Sequence, residues 1–149
     1  MIKELFAVNV FDGQTILKNQ LIQAEHGKIL SLTTMDAPQN VPIVQYLSPG
    51  FIDLQINGGN KTFFTQKPTV ESVKDIDLSC NTLGTVWTLP TLTTSPVSNI
   101  KEGINAIRIF RENHPNTGVL GMHLEGPFIS PENAEAILQN MYNNQLMMY

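Results

Sequence analysis

The chain has 149 residues, enough for a domain with a buried core, and its 42% hydrophobic and 15% charged residues favour an ordered fold over disorder. A net charge of −4 and scattered lysines and arginines remove the electrostatic basis for binding nucleic acid or an anionic membrane surface. Cys80 is the single cysteine, which excludes an intramolecular disulfide. With no signal-peptide pattern and no apolar stretch of roughly 18 residues, the sequence predicts a cytoplasmic protein without a membrane span.

The first part of the chain, residues 1–47, is predicted to be rich in β-structure. Residues 5–10 are a strand candidate closed by a turn at Asp12-Gly13. Residues 21–25 and 29–32 are predicted to form a hairpin in which Gly27 supplies a positive φ. Residues 33–42 carry two prolines and are predicted to be a loop. This unit is too small to bury much apolar surface by itself.

From residue 48 the pattern alternates between strands and helices. Strands are predicted at 51–57, at 85–89, where Pro90 would end the strand, and at 119–124. Thr69 is the predicted N-cap of a first helix, and a second begins near Ser95-Pro96 and ends at His114-Pro115. The predicted buried faces are Val70, Val73, Ile76, Cys80 and Leu83 on the first helix, and Ile100, Ile104, Ile107 and Phe110 on the second. Short connections in this order indicate a parallel α/β sheet.

The candidate for chemistry is Glu125, which is expected one residue past the third strand and just before Gly126-Pro127. Functional groups gather at the carboxyl ends of parallel strands, where a carboxylate could bind a divalent metal or act as a base. A solvated loop glutamate remains an equally open alternative. His123 would share a strand face with Glu125, or it could be a hydrogen-bonded core residue.

A second group of polar residues lies at the end of the first strand of the sheet. Strand alternation places Asp53, Gln55 and Asn57 on one face, opposite Ile52, Leu54 and Ile56. Amides are weak metal ligands but good hydrogen-bond partners for a water or a sugar hydroxyl. The alternative is an ordinary strand-end turn at Asn57-Gly58. The hydroxyl-rich residues 91–95 are predicted mainly to cap the second helix, and His26 and His114 are predicted to be surface residues.

Two segments resemble a known family. Residues 48–53, Ser-Pro-Gly-Phe-Ile-Asp, look like the first barrel strand of the amidohydrolase superfamily, and residues 123–128, His-Leu-Glu-Gly-Pro-Phe, are similar to the third-strand segment of N-acetylglucosamine-6-phosphate deacetylases. The resemblance runs from about residue 1 to about residue 131. It implies the first three βα units of an incomplete TIM-like barrel (residues 48–131), a partial β-sandwich before it (1–47) and an atypical tail (132–149).

The resemblance also implies a function. The family removes the acetyl group from N-acetylglucosamine 6-phosphate, and one divalent metal, zinc or similar, activates the attacking water. Glu125 matches the family's carboxylate ligand, while Gln55 and Asn57 stand where many superfamily members carry His-x-His. That replacement indicates a single-metal site in which the two amides bind substrate or water. For the complete enzyme, the resemblance implies a homodimer that acts on a small sugar phosphate.

The family's two histidine ligands and its catalytic aspartate come from later strands, so no catalytic acid or base is expected in this chain. A barrel needs roughly 250 residues, and the sequence therefore predicts a truncated chain that is inactive alone. Two alternatives stay open at this point. One is a different amidohydrolase, dihydroorotase-like or adenine-deaminase-like. The other is a non-catalytic α/β module that binds a sugar phosphate or a partner chain.

Overall fold

The computed structural model describes residues 3–127, and the chain divides into two units between Pro49 and Gly50. The first unit holds β1 (Lys3–Phe11), β2 (Ile16–Glu25), β3 (Lys28–Thr34) and β4 (Ile43–Leu47). The second holds β5 (Phe51–Ile56), α1 (Val70–Thr82), β6 (Thr85–Thr93), α2 (Val97–Asn113) and β7 (His123–Glu125). The predicted tail, 132–149, and the predicted domain limit at 131 lie outside the described residues.

The first unit is one mixed sheet with the strand order β3-β2-β1-β4. The predicted hairpin is confirmed: β2 and β3 are antiparallel, and both turn residues, His26 and Gly27, have positive φ values of 50° and 74°. This geometry follows the right-handed twist of the flanking strands. A small apolar cluster of Ala7, Val10 and Ile22 stabilises the sheet. Residues 3–49 form this single sheet, so the sandwich stays a prediction.

One strand of this unit was not predicted from the sequence. β4 runs parallel to β1, with Phe6 opposite Ile43 and Val10 opposite Leu47. The Phe6 N–H donates to the carbonyl of Pro42 at 2.9 Å, which starts the pairing directly after the proline. β4 is short, and its partner lies more than thirty residues earlier in the chain. Local patterning therefore carries little sign of it.

The second unit is a parallel sheet in the order β5-β6-β7, with a helix after each of the first two strands. This confirms the predicted α/β alternation over the described residues, while the number of barrel units stays a prediction. The apolar core lies where α1 and α2 meet the sheet. Its buried members are Phe64, Val73, Ile76, Cys80, Leu92, Ala106, Ile107, Phe110 and Val119.

Several predicted strand limits in this unit were wrong. Pro90 does not end the second strand, because β6 continues to Thr93. Proline cannot donate to a ladder and is tolerated in sheets at irregularities. Its partner is Ile56, and the pairing slips by one residue between Asp53 and Ile56. The third strand also differs: Val119 makes only an isolated bridge to Thr88, and β7 begins at His123.

The helices follow the predicted pattern with two corrections in their buried faces. Thr69 caps α1 as predicted, since its hydroxyl oxygen accepts from the Ser72 N–H. Leu83 is exposed because it lies past the last helical residue, at the C-cap. On α2, Ile107 is buried but Ile104 is exposed, because the helix turns Gly103 and Ala106 toward the core instead. Pro96 occupies the N-cap position of α2, one residue before its first turn.

Candidate functional site

The carboxyl edge of the parallel sheet brings two of the predicted site residues together. The Gln55 side-chain amide donates from Nε2 to Oε2 of Glu125 at 2.9 Å. Gln55 lies on β5 and Glu125 ends β7, so these strands flank β6 on either side. Neighbouring strands are about 4.8 Å apart, which separates β5 and β7 by about 10 Å. The hydrogen bond therefore forms because the two side chains reach toward each other across β6.

Glu125 lies inside the strand rather than past its end, which corrects the predicted limit. It is the last residue of β7 and pairs with Thr93 of β6. The next residue, Gly126, has a φ of +107°, a conformation that strongly favours glycine. The chain thus leaves the sheet directly after the carboxylate. Glu125 is half-buried at this edge, and its contact with Gln55 is exposed, so the carboxylate is open to solvent.

The predicted alternation along β5 was wrong at the end nearest the site. Asp53 pairs with Thr88 and Ile56 pairs with Pro90, so two residues of β5 lie opposite one of β6. This bulge turns Ile56 toward the helix-side core, while Ile52 and Leu54 remain 61% and 59% exposed. Bulges re-aim side chains near functional sites. Here the Asp53 carboxylate also accepts from the Gln55 backbone N–H at 3.0 Å, which holds the bulged segment in place.

Asn57 is not joined to Gln55 and Glu125. It follows β5, its side chain is exposed, and its backbone carbonyl accepts from the Phe64 N–H at 2.9 Å. Gly58 and Phe63 form an antiparallel bridge, so the chain folds back on itself here as the turn alternative expects. Within residues 3–127 the Asn57 side chain has no hydrogen-bond partner. A role for it in binding substrate or water stays a prediction.

A set of buried and half-buried hydroxyl groups at the end of β6 was assigned the wrong role from the sequence. Residues 91–93 belong to β6, and Pro96 rather than one of these hydroxyl residues stands at the N-cap of α2. The hydroxyls of Thr65 and Thr93 lie 3.2 Å apart, and the Thr93 N–H donates to the Thr65 oxygen at 3.0 Å. The Thr94 hydroxyl donates to the backbone carbonyl of Glu125 at 3.4 Å. The sequence signal for these hydroxyl contacts was the hydroxyl-rich run, residues 91–95, that follows the predicted strand.

The three histidines have different surroundings. His123 pairs with Thr91, two residues before Glu125, and is half-buried. His26 lies in the β2–β3 turn. His114 ends α2, where its ring stacks on Phe110 with centroids 4.3 Å apart and its Nδ1 lies 2.9 Å from the Phe110 carbonyl. His26 and His114 are both exposed, as predicted for surface residues.

The described residues do not form a metal centre by themselves. No group of three or more His, Cys, Asp or Glu side chains lies close enough to hold a metal within residues 3–127. A catalytic zinc usually takes about three protein ligands. Glu125 offers one carboxylate whose Oε2 accepts from an amide, and an amide N–H group cannot bind a cation. This donor set supplies at most one ligand.

No helix in the described part of the chain is long and apolar enough to cross a membrane.

Cys80 is buried against β6, and its Sγ lies 3.8 Å from the Thr88 hydroxyl oxygen. Burial raises the pKa of its thiol, and the charges of Asp53 and Asp77 act in the same direction. The cysteine is therefore a core residue and no candidate nucleophile.

No family model matches the chain. The chain is 37% identical over 86 residues to the N-acetylglucosamine-6-phosphate deacetylase of Haemophilus influenzae. It is 40% identical over 89 residues to the deacetylase of the same name from Homo sapiens. Each match spans 58% of this chain and 22% of the relative. A longer match, 30% identical over 124 residues, joins 83% of the chain to 29% of the N-acetylgalactosamine-6-phosphate deacetylase of a Shewanella species. The chain thus spans between a fifth and a third of the length of these relatives.

Solved structures give the same result for the fold. The N-acetylglucosamine-6-phosphate deacetylase of Pasteurella multocida superimposes with a TM-score of 0.78 at 24% identity, over 99% of this chain and 41% of that one. The deacetylase of Thermotoga maritima superimposes with a TM-score of 0.73 at 23% identity, over 100% of this chain and 39% of that one. At these identities the likeness concerns the fold alone.

Proposed function

We propose that this chain, which matches the N-terminal portion of the N-acetylglucosamine-6-phosphate deacetylase family, forms one edge of the active site of such an enzyme. The complete activity would be hydrolysis of the N-acetyl amide of an amino-sugar phosphate to give the free amine and acetate. The observation that carries the proposal is the Gln55–Glu125 hydrogen bond at the carboxyl edge of the sheet. Active sites of barrel enzymes are built at this edge.

In this proposal Glu125 would be one ligand of a divalent metal and Gln55 would orient it. In the structure the amide of Gln55 donates to Oε2 of Glu125, which leaves Oε1 available for a metal. Hydrogen bonds to metal-bound carboxylates fix their direction and are a regular part of metal sites. Gln55 would therefore act on the carboxylate rather than on the substrate. Asn57, at the same end of β5, would face bound substrate or water.

A direct test uses the 149-residue chain and Mn²⁺ as a paramagnetic probe in NMR titrations. Glu125 supplies a single carboxylate and should bind Mn²⁺ weakly, but paramagnetic broadening also detects weak binding; we therefore expect Mn²⁺ to broaden the backbone signals of Glu125 and the side-chain amide signals of Gln55. Glu125→Gln should abolish this selective broadening. Glu112→Gln, which removes an exposed carboxylate on α2, is the matched control and should leave it intact. Equal broadening in all three proteins would contradict the ligand role.

A second test concerns the complete activity. A chimaera would join residues 1–127 of this chain to the remaining part of a family deacetylase, and acetate release would be measured with N-acetylglucosamine 6-phosphate. We expect activity that falls at least about 100-fold in Glu125→Gln, because a metal ligand is lost. A chimaera that is active to the same extent with and without the Glu125 carboxylate would overturn the proposal. If the chimaera does not fold, the manganese titration decides.

N-acetylgalactosamine 6-phosphate, the 4-epimer of N-acetylglucosamine 6-phosphate, is a second candidate substrate. The match to an N-acetylgalactosamine-6-phosphate deacetylase covers more of this chain than the matches at higher identity. Both sugar phosphates belong in the activity assay, and the larger kcat/KM assigns the substrate. Nothing in the fold favours a non-catalytic binding module. Dimerisation of the complete enzyme stays a prediction, and its measurement is the molar mass of the active chimaera by light scattering.

A further inference from the structure

Two contacts of different kinds hold Glu125 at the edge of the sheet. Its carboxylate accepts from Gln55, and its backbone carbonyl accepts from the hydroxyl of Thr94. Thr94 follows the last residue of β6, and it is 98% buried, with 2% of its surface exposed. A buried hydroxyl that loses its partner costs free energy. Loss of the hydrogen bond from the Thr94 hydroxyl to the Glu125 carbonyl would therefore cost free energy.

This bond is placed where the sheet itself provides little restraint. β7 pairs with β6 through only three residues, and Glu125 is the last of them. Directly after it, Gly126 takes a φ of +107° and leaves the extended conformation. The ends of short strands fray readily because few contacts hold them. The β6–β7 ladder ends at Glu125, and the Thr94 hydroxyl supplies a further hydrogen bond at this end.

The end of β6, directly before Thr94, is itself fixed. Its neighbour Thr93 is bound through both the backbone N–H and the hydroxyl to Thr65, which lies in the segment after β5. Thr65 is in turn adjacent to Phe64, a fully buried core residue. The position of Thr94 is therefore coupled to the core of the unit. A contact from Thr94 to Glu125 transmits that rigidity to the strand end.

We infer that Thr94 is a positioning residue for Glu125: it fixes the backbone at the end of β7 so that the carboxylate meets the Gln55 amide. The functional meaning of this positioning rests on the proposed role of Glu125 as a metal ligand. The positioning itself does not, since it predicts a hydrogen bond that can be observed in the chain without metal. Thr94 touches the backbone of Glu125 and acts through it.

The test compares Thr94→Val, Thr94→Ser and Thr91→Val by NMR of the 149-residue chain. Thr91 is the matched control: it is a fully buried threonine on β6, close to Thr94 in the chain, and its hydroxyl donates to the Leu89 carbonyl at 3.3 Å. In Thr94→Val we expect the Nε2 proton signals of Gln55 to move to the positions of a solvent-exposed glutamine and to exchange faster with water. Thr94→Ser should retain the original signals, and so should Thr91→Val.

Unchanged Gln55 signals in a folded Thr94→Val protein would overturn the inference, and so would equal changes in Thr91→Val. If Thr94→Val does not fold, the inference is tested on the unaltered chain instead. Three-bond couplings should show a single χ1 rotamer for Thr94, and rotamer averaging would count against a fixed hydroxyl.

Mn²⁺ separates this inference from the proposed function. Failure of Mn²⁺ to broaden the Glu125 region of the unaltered chain would count against the metal role and would leave the Gln55 result valid. Where Mn²⁺ does bind, Thr94→Val should weaken its apparent affinity by about tenfold, as is typical when a residue that supports a metal ligand is lost. Unchanged affinity would contradict the role of Thr94 at the metal.

Discussion

Truncation of two isoleucines on α2 distinguishes the buried face in the structure from the face that the sequence pattern predicts. Ile104 and Ile107 are three residues apart on the same helix, and both are predicted to face the core. In the structure Ile107 is 5% exposed and packs in the cluster around Phe110, whereas Ile104 is 54% exposed. The Ile107→Ala and Ile104→Ala variants share the same change in chemistry and helix propensity. Any difference between their effects therefore measures burial.

The magnitudes follow from the two environments. Truncation of a fully buried isoleucine to alanine costs about 2–5 kcal/mol, from lost transfer free energy and the cavity left behind. We expect about 3 kcal/mol for Ile107. At Ile104 only about half of the side chain is removed from water, so the transfer loss is about 1 kcal/mol. The better helix propensity of alanine returns a few tenths of a kcal/mol, and the net cost should be about 0.5 kcal/mol.

The assay is urea unfolding followed by the fluorescence of Trp87, the single tryptophan of the chain. Trp87 lies on β6, so the signal reports on the second unit. The midpoint should fall strongly for Ile107→Ala and slightly for Ile104→Ala, with unchanged slopes if the unfolded state is unaltered. Equal shifts for the two variants, or a larger shift for Ile104→Ala, would refute the assignment of the buried face.

Three further predictions concern local features. Thr69→Ala removes the N-cap of α1 and should lower the free energy of unfolding by about 1 kcal/mol. The control Thr82→Ala, at an exposed site near the end of the helix, should change it by less than about 0.5 kcal/mol. Urea titrations of both variants test this. Cys80 should react with a thiol reagent at pH 8 much more slowly in the folded chain than in urea, because burial raises the pKa of the thiol and blocks access; equal rates would contradict this. Hydrogen bonds from the backbone N–H groups of Thr15 and Gln14 lower the pKa of Asp12, so its contribution to stability is present above the ordinary carboxyl pKa and is lost as the pH falls through the lowered value. Asp12→Asn should remove that part of the pH dependence in urea unfolding, and an unchanged profile would argue against it.

Local signals in the sequence were sufficient for many elements of this fold. The Thr69 cap, the turn at His26-Gly27 and the end of α2 at His114 each depend on the chemistry of a few adjacent residues. Glu125 was identified as the main candidate because it follows an apolar segment and precedes Gly126-Pro127. These features depend little on the rest of the chain, and pattern alone can indicate them.

The features that were missed depend on residues far apart in the chain. β4 exists because it pairs with β1, and Pro90 is accommodated in β6 opposite an irregular part of β5. The bulge in β5 broke the expected alternation, so Ile56 turned toward the core instead of sharing a face with Ile52 and Leu54. The bond from Gln55 to Glu125 joins residues 70 positions apart. None of these contacts has a local signature, since each is decided by the partner strand.

The hydrogen bond between Gln55 and Glu125 makes the site sensitive to strand alignment more than to loop length. The two residues lie on strands that are not neighbours, so the bond requires correct alignment of β5 on β6 and of β7 on β6 at the same time. A slip of one residue in either ladder would turn one of the two side chains to the opposite face. Insertions in the connections that follow α1 and α2 should leave the pair in place, whereas a single-residue deletion within β6 should separate it. The same distinction tells a protein engineer where this fold tolerates change.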